Sequence, residues 1–405
     1  MTKCRLCGSS TESVIDLGEM YPSNFIPKNV DSSSYKKYPL KMVKCKECNL
    51  FQIDENPPLD DMYRQYWYKS SLNKSMVNAL EDLVCSVQQR IAVYNGEVVV
   101  DIGANDGTTL SMYSKEVITV GFDPALNLKE EASSKCTHFI NDYFSADKYP
   151  LDKKAIVVSA IACFYDLEQP HKFVDDVVKI LDDDGIFVIQ FTDLLHTLKI
   201  NGFDNFVSEH LELYSFHDIV KLMKFHGLEV FDVETNDVNG GSIRAFIDFK
   251  GKRKVKDSVR ELLEYEQDFM GMFEDPFKAF SDRVETIKEL TVNFIKQEVA
   301  KGKKVFGLGA STKGNTLLSY FGFDSSLISY IAEVNKDKYG LKTIGTEIPI
   351  ISEEEAFAMN PDYFLVLPWH FIDGFREKYK DYLNRGGKFI VPCPEFKIVT
   401  NSWSK

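Results

Sequence analysis

The sequence predicts an α/β protein in three parts, and three observations carry that prediction. Apolar runs alternate with helical patterns from about residue 97 to 250, the stretch VVVDIGANDGTTL at 98–110 passes from a buried-strand pattern straight into a glycine turn, and two Cys-x-x-Cys pairs stand near the N-terminus. An alternating βα series builds a parallel sheet with helices on both faces. The boundaries that follow are a cysteine-rich module over 1–65, a sheet domain over 66–250, and a helical linker with a smaller Rossmann-like unit over 251–405.

A chain of 405 residues is long enough for several domains and an ample core. A net charge of −13 opposes binding to polyanions, so no nucleic-acid partner is expected. No apolar run approaches the roughly 20 residues that span a bilayer, so no membrane association is expected. MTKCRLCGSS has no apolar signal core, so a cytoplasmic protein is expected. A monomer and a weak dimer both stay open.

The cysteines open the chain. Cys4-x-x-Cys7 and Cys45-x-x-Cys48 supply four thiolates, the donor set of tetrahedral Zn²⁺, with 37 residues between the pairs. Disulfides fit a cytoplasmic chain poorly, and a redox Cys-x-x-Cys needs only one copy. Residues 1–65 carry nine Lys/Arg against nine Asp/Glu with no basic stripe, so the module reads as a brace for the neighbouring domain.

Next come Tyr66, Trp67 and Tyr68 with Ser70 and Ser71, then a helical stretch to about Val93. Clustered aromatics are more often core than site. Tyrosine hydroxyls beside serines can equally floor a polar pocket.

The sheet domain opens with strand VVVD and the loop of Gly103, Asn105, Asp106 and Gly107, after which a helix N-terminus is expected. Such a turn lets backbone N–H groups approach a nucleotide-like ligand closely. Asn105 stands where a dinucleotide-binding G-x-G-x-x-G has its second glycine, and the loop is more similar to the D-x-G-x-x-x-G of class I AdoMet-dependent methyltransferases. Asp123 follows Asp101 by 22 residues, where such folds grip ribose hydroxyls.

Five parallel-type strands and a closing antiparallel pair, LEVFDVETN and SIRAFIDFK, make a seven-stranded, doubly wound sheet with its ligand beyond the carboxyl ends. Those ends carry Asp142 and Phe144, a carboxylate and a ring suited to adenine and equally readable as an N-cap and a core aromatic. After the fifth strand lie Glu209-His210, Tyr214 and His217, which hold the best base candidate among the seven histidines. The last third has a charged helical pair from 253 to about 300. KKVFGLGASTKGNTLL follows, whose Ser311, Thr312 and Lys313 suit phosphates but lack P-loop spacing.

In chain order the cysteine pairs, Y-x-Y-x-S-S at 66–71, D-I-G-A-N-D-G at 101–107, E-H-L-x-x-Y at 209–214, N-D-V-N-G-G-S-I-R at 236–244, G-A-S-T-K-G-N-T-L-L at 309–318 and L-P-W-H-F at 367–371 resemble the three-domain sugar C-methyltransferases, which act on nucleotide-linked 4-keto deoxysugars. The resemblance spans essentially the whole chain. It implies a zinc-binding module, a central class I methyltransferase sheet holding S-adenosyl-L-methionine (AdoMet), and a Rossmann-like C-terminal domain that helps hold the sugar nucleotide.

By that resemblance His210 is the base that removes the C3 proton, Glu209 orients it, and Tyr68 or Tyr214 bonds the sugar or enolate oxygen. Asp101, Gly103, Asn105, Asp106, Gly107, Asp123, Asp142 and Phe144 contact the cofactor. Tyr66, Ser70, Ser71, Asn239, Arg244, Ser311, Lys313 and Asn315 contact the substrate, with Lys313 an outer contact. The chain departs from its relatives in reading Val207-Ser208 just before Glu-His and Ala162-Cys163-Phe164 after the fourth strand, where others carry tyrosine, cysteine or histidine. Methylation of an oxygen or nitrogen of another small metabolite is the alternative reading, and AdoMet binding without turnover a third.

Overall fold

The structure, a computed structural model, describes residues 2–401. Its central sheet has seven strands, in chain order Val98–Ile102, Ile118–Phe122, His138–Ile140, Ala155–Ile161, Leu181–Thr192, Leu228–Asn236 and Ser242–Phe249. Across the sheet they lie 3-2-1-4-5-7-6. The first five are parallel and the last two form the antiparallel closing pair. Val98–Ile102 is buried at all five positions, as a central parallel strand covered on both faces must be. The strand order reverses between the first and fourth strands, which opens a crevice at their carboxyl ends.

One local expectation fails. No α-helix follows the glycine loop; a single 3₁₀ turn, Leu110–Met112, stands there instead. Asp106 Oδ1 accepts from both the backbone N–H and the hydroxyl of Thr108, a local turn that holds the loop. The chain must re-enter the sheet at Ile118, too soon for a helix and a return. The loop therefore offers a ligand backbone N–H groups and carboxylates, without a long helix dipole.

The N-terminal module is an antiparallel sheet of Thr11–Met20, Tyr38–Cys45 and Phe51–Ile53, and Glu212–Leu213 adds a fourth strand to it. That pairing joins residues 160 positions apart in the chain, and no local pattern announces it. Arg5 reinforces the join by donating to the carbonyls of Ile53 and Leu211, both at 3.2 Å. The segment carrying Glu209 and His210 is thereby held by the module as well as by its own domain.

Two helices, Asp257–Gly271 and Pro276–Ala300, lead to the C-terminal lobe. The second starts on Pro276, with Asp275 accepting from the N–H groups of Phe277 and Lys278. The lobe has five parallel strands, ordered Ile350–Ser352, Ile331–Glu333, Val305–Leu308, Tyr363–Val366 and Lys388–Val391, with Lys397–Val399 antiparallel at one edge.

All three parts meet at the 203–207 segment. Phe206 packs against Phe51 of the module (5.5 Å between ring centres) and Phe280 of the linker (5.6 Å), while Phe203 stacks on Phe321 of the lobe (5.4 Å). Each buried ring stabilises this junction by about 2–3 kcal/mol. The segment four residues before His210 is thus among the most firmly packed loops of the chain.

Candidate active site

The carboxyl ends of the central strands open into a cavity of about 620 Å³ that reaches the C-terminal lobe at Thr312 and Lys313. On one wall lies the glycine loop. Gly103 has φ +73°, and a Cβ there would come within 2.9 Å of Cys163 Sγ, so glycine is required. Asn105 adopts φ +51°, a conformation asparagine tolerates. Its side-chain amide also ties down the segment above it, since Oδ1 accepts from Ser70 N–H and Nδ2 donates to the Tyr68 carbonyl, both at 3.0 Å. A glycine at this place could not strap Tyr68–Ser71 over the cavity.

Two buried carboxyls face this wall without an ion-pair partner among the described residues. Asp101 accepts from Ser159 Oγ at 2.7 Å, and burial pushes its pKa up to about 7. Asp123 accepts from the N–H groups of Asn105 and Ala125, both at 2.9 Å, and burial pushes it up to about 6. Asp142 and Phe144 also line the cavity. Asp142 is held below the usual carboxylate range by Lys148 at 2.7 Å, and Phe144 stands edge-on to Phe122 and Phe173. Asp106 and Gly107 do not line the cavity. Asp106 is enclosed behind the loop, where it accepts from Ser71 N–H and approaches Lys135 at 3.7 Å.

The opposite wall carries His210. Its Nδ1 lies 2.8 Å from the Asn205 carbonyl, which can only accept, so Nδ1 bears the proton and Nε2 keeps its lone pair. Burial, with the nearby Lys313 charge, lowers its pKa to about 3, so the ring is neutral at ordinary pH. Tyr165 stands edge-on to it at 4.5 Å. Asn205, rather than Glu209, fixes the orientation of the ring. Glu209 is buried beside it, pushed up to about 8, and its carbonyl accepts from Tyr63 at 2.6 Å.

The same Asn205 accepts from Lys313 Nζ through its side-chain Oδ1 at 2.6 Å. Lys313 is half-buried and lines the cavity beside Asn205, so it is not an outer contact. Tyr66, Tyr68 and Ser70 also line the cavity, as do Tyr63 and Asp166, whose Oδ1 is buried without a partner. Phenols from the strap and from Tyr165 thus replace the polarity lost at Val207-Ser208 and Ala162-Cys163.

Several expected contacts lie elsewhere. Tyr214 is packed in the core between Phe164 and Phe191. Arg244 is enclosed beneath the sheet, bonded to Gln190, Glu234 and Asp82. Ser311 caps the helix Thr312–Phe321 by accepting from Gly314 N–H, and Asn315 Nδ2 donates to the Asn24 carbonyl. Ser71 bonds the loop through its N–H. The side chain of Asn239 lies outside the described residues. Sequence reasoning passed over Asn205 and Tyr63, which nothing short of the fold distinguishes from ordinary loop residues; Tyr165 and Asp166 stand at the carboxyl end of the fourth strand, where the sequence places the ligand.

The sulfurs of Cys4, Cys7, Cys45 and Cys48 all lie within 4.8 Å of one another, with Cys4–Cys48 at 3.5 Å and Cys7–Cys45 at 3.4 Å. Zn–S bonds of about 2.3 Å place tetrahedral sulfurs roughly 3.8 Å apart, so the cluster fits this ion.

Family models match the chain in three consecutive pieces: a zinc binding domain over residues 4–63, a methyltransferase domain over 79–233, and a C-methyltransferase C-terminal domain over 237–394. The C-methyltransferase NovU of Streptomyces niveus is 31% identical over 409 residues, covering 98% of this chain and 97% of its own. The chain belongs to this C-methyltransferase family. Among solved structures, the SAM-bound magnesium protoporphyrin IX methyltransferase of Synechocystis PCC 6803 aligns with 42% of the chain and 78% of its own at 12% identity and a TM-score of 0.33. An S-adenosylmethionine-dependent methyltransferase of Clostridium acetobutylicum ATCC 824 aligns with 43% and 92% at 12% identity and a TM-score of 0.36.

The C-methyltransferase is therefore AdoMet-dependent, with a zinc-binding N-terminal domain built around a four-cysteine cluster. None of its described helices is long and apolar enough to cross a membrane. Metal analysis of the purified C-methyltransferase is expected to give one Zn²⁺ per chain. Cys45→Ser with Cys48→Ser should lose the ion and lower the melting temperature, because metal binding and folding of such a module are coupled. A folded, metal-free protein would remove zinc from the module.

Proposed function

We propose that this C-methyltransferase methylates a carbon beside the ketone of a nucleotide-linked 4-keto-6-deoxysugar, with His210 as the base. One observation carries the reading: a half-buried, neutral histidine whose Nδ1–H is tied to the Asn205 carbonyl and whose Nε2 remains an acceptor on the cavity wall. Oxygen or nitrogen acceptors carry their own lone pair and need less help from a base. A carbon acceptor must first lose a proton to become nucleophilic.

The cavity supports a cationic cofactor and a hydroxylated acceptor. Asp101 and Asp123 suit the ammonium and the ribose hydroxyls of AdoMet, and Asp142 with Phe144 suits its adenine. Bound AdoMet supplies an electrophilic methyl group, while every proton transfer falls to the chain. Tyr63, Tyr66, Tyr165, Asp166 and Glu209 offer a sugar ring donors and acceptors from several directions. The 4-keto deoxysugar class itself rests on the motifs shared with the sugar C-methyltransferases.

Asp123→Ala should weaken AdoMet binding by one to two orders of magnitude in titration calorimetry, since two buried ribose hydroxyls lose their acceptor; an unaltered dissociation constant would remove the ribose role. The whole reading is tested by incubating the protein with AdoMet and a panel of nucleotide-linked 4-keto-6-deoxyhexoses in D₂O, followed by mass spectrometry. The expected product carries a new methyl group on carbon, and the acceptor takes up deuterium at the same position when AdoMet is withheld. Methylation of an oxygen or nitrogen without deuterium uptake would overturn it.

A further inference from the structure

Lys313 is a half-buried amine on the cavity wall that enters no ion pair among the described residues. Its one hydrogen bond goes to Asn205 Oδ1, so an ammonium at this place has two N–H bonds left for a ligand in the cavity it lines. Asn205 also holds the His210 ring through its backbone carbonyl. A single residue thus sets the spacing between a base nitrogen and a cation that come from different domains.

That residue is itself firmly placed. Asn205 ends the 3₁₀ turn Phe203–Asn205, its Nδ2 donates to Thr197 Oγ1 at 3.1 Å, and Trp369 Nε1 of the C-terminal lobe donates to the neighbouring Asp204 at 2.9 Å. Removing a proton beside a ketone requires a base for the C–H and a positive group for the oxygen two bonds away, held in fixed relation. We propose that Lys313 is a catalytic residue that binds the acceptor's carbonyl oxygen and carries the negative charge of the enolate. This rests on the carbon-acid reading given above.

In this step His210 Nε2 takes the proton, the C–H electron pair becomes the new C=C bond, and the carbonyl π pair moves onto the oxygen facing Lys313. When the carbon takes the methyl group of AdoMet the pair returns to the carbonyl, the C–S pair stays with sulfur, and His210 releases its proton to solvent. A phosphate group fits the position less well. One cation does not balance a diphosphate. A single developing negative charge is matched by a single ammonium.

The test compares Lys313→Met, Lys313→Gln and Lys313→Arg in the full-length zinc-loaded protein, with the nucleotide-linked 4-keto-6-deoxyhexose that the unaltered protein methylates. Deuterium uptake without AdoMet and kcat with AdoMet are both expected to fall about 10²–10³-fold in Lys313→Met and Lys313→Gln. KM for the sugar and Kd for AdoMet should change less than tenfold, and Lys313→Arg should recover at least a tenth of the activity. Methionine has nearly the same length and removes a costly half-buried charge, so the fold is expected to persist; glutamine serves if it does not. A raised KM with undiminished deuterium uptake would overturn the proposal and leave Lys313 a binding contact. If the unaltered protein neither exchanges nor methylates any keto sugar, the carbon-acid reading falls and this role falls with it.

Discussion

Replacing His210 with alanine is expected to lower methyl transfer about 10²–10⁴-fold while leaving the AdoMet dissociation constant within twofold of its original value. The first half follows from geometry. The ring lies half-buried on the cavity wall, its Nδ1–H is fixed by Asn205, and no other histidine lines the cavity among the described residues. His196 and His217, the other candidates near the fifth strand, stand elsewhere: His196 against Gly241, and His217 bonded to Glu266 at 2.8 Å. The second half follows from position, because the carboxyls and glycines of the cofactor wall do not bond to His210. Deuterium uptake at the acceptor carbon should vanish in step with turnover. Persistent uptake in His210→Ala would transfer the role to another group.

The same environment predicts an unusual pH profile. An exposed histidine base loses activity below about 6.5 as it becomes protonated. Burial and the Lys313 charge push His210 down to about 3, so its neutral form persists far into acid. The acid limb of kcat/KM should therefore come from the carboxyls of the cofactor wall at about 6 to 7, and should move when Asp101 is changed. An acid limb that stays near 6.5 in every carboxyl variant would contradict the half-buried, neutral histidine.

What could be read in the sequence was what local patterns encode. The seven strands were legible because buried parallel strands are short apolar runs set apart by polar or helical stretches, as in AIVVSAI and GIFVIQF on either side of the helix Pro170–Ile180. The four cysteines were legible because zinc knuckles have fixed spacing. The helix expected after the glycine loop was wrong because the next strand opens at Ile118, a demand of the sheet that helical periodicity does not register. The site beyond the loop depended on contacts distant in sequence. Asn205 gains importance only when the C-terminal lobe delivers Lys313 to its side chain, 108 residues later. Tyr214 and Arg244 mislead for the opposite reason. They stand inside motifs next to residues that face the cavity, yet their side chains point into the core.

Asp101→Asn is expected to make the cofactor-free protein more stable above pH 7 and at the same time to weaken AdoMet binding by one to two orders of magnitude. Asp101 is buried without a cation, and its folded pKa of about 7 exceeds the ordinary 3.8. The folded chain holds that proton more tightly than the unfolded chain, so stability falls as pH rises from about 4 through 7. A shift of this size corresponds to a cost on the order of 4 kcal/mol once the carboxylate is ionised. Asparagine removes the cost and still accepts the Ser159 hydrogen bond through its amide oxygen. Its melting temperature should exceed that of the unaltered protein by several degrees at pH 8, and the difference should shrink towards zero as pH falls through 4, where Asp101 stays protonated in the folded chain and becomes protonated in the unfolded one. Binding moves the other way, because the ammonium group of AdoMet loses the carboxylate that faces it and the site no longer gains affinity as pH rises through 7. A carboxyl that destabilises the empty fold is what a site selected for a cationic ligand should contain. A melting difference independent of pH, or AdoMet affinity unaffected by the substitution, would show that Asp101 is a structural residue instead.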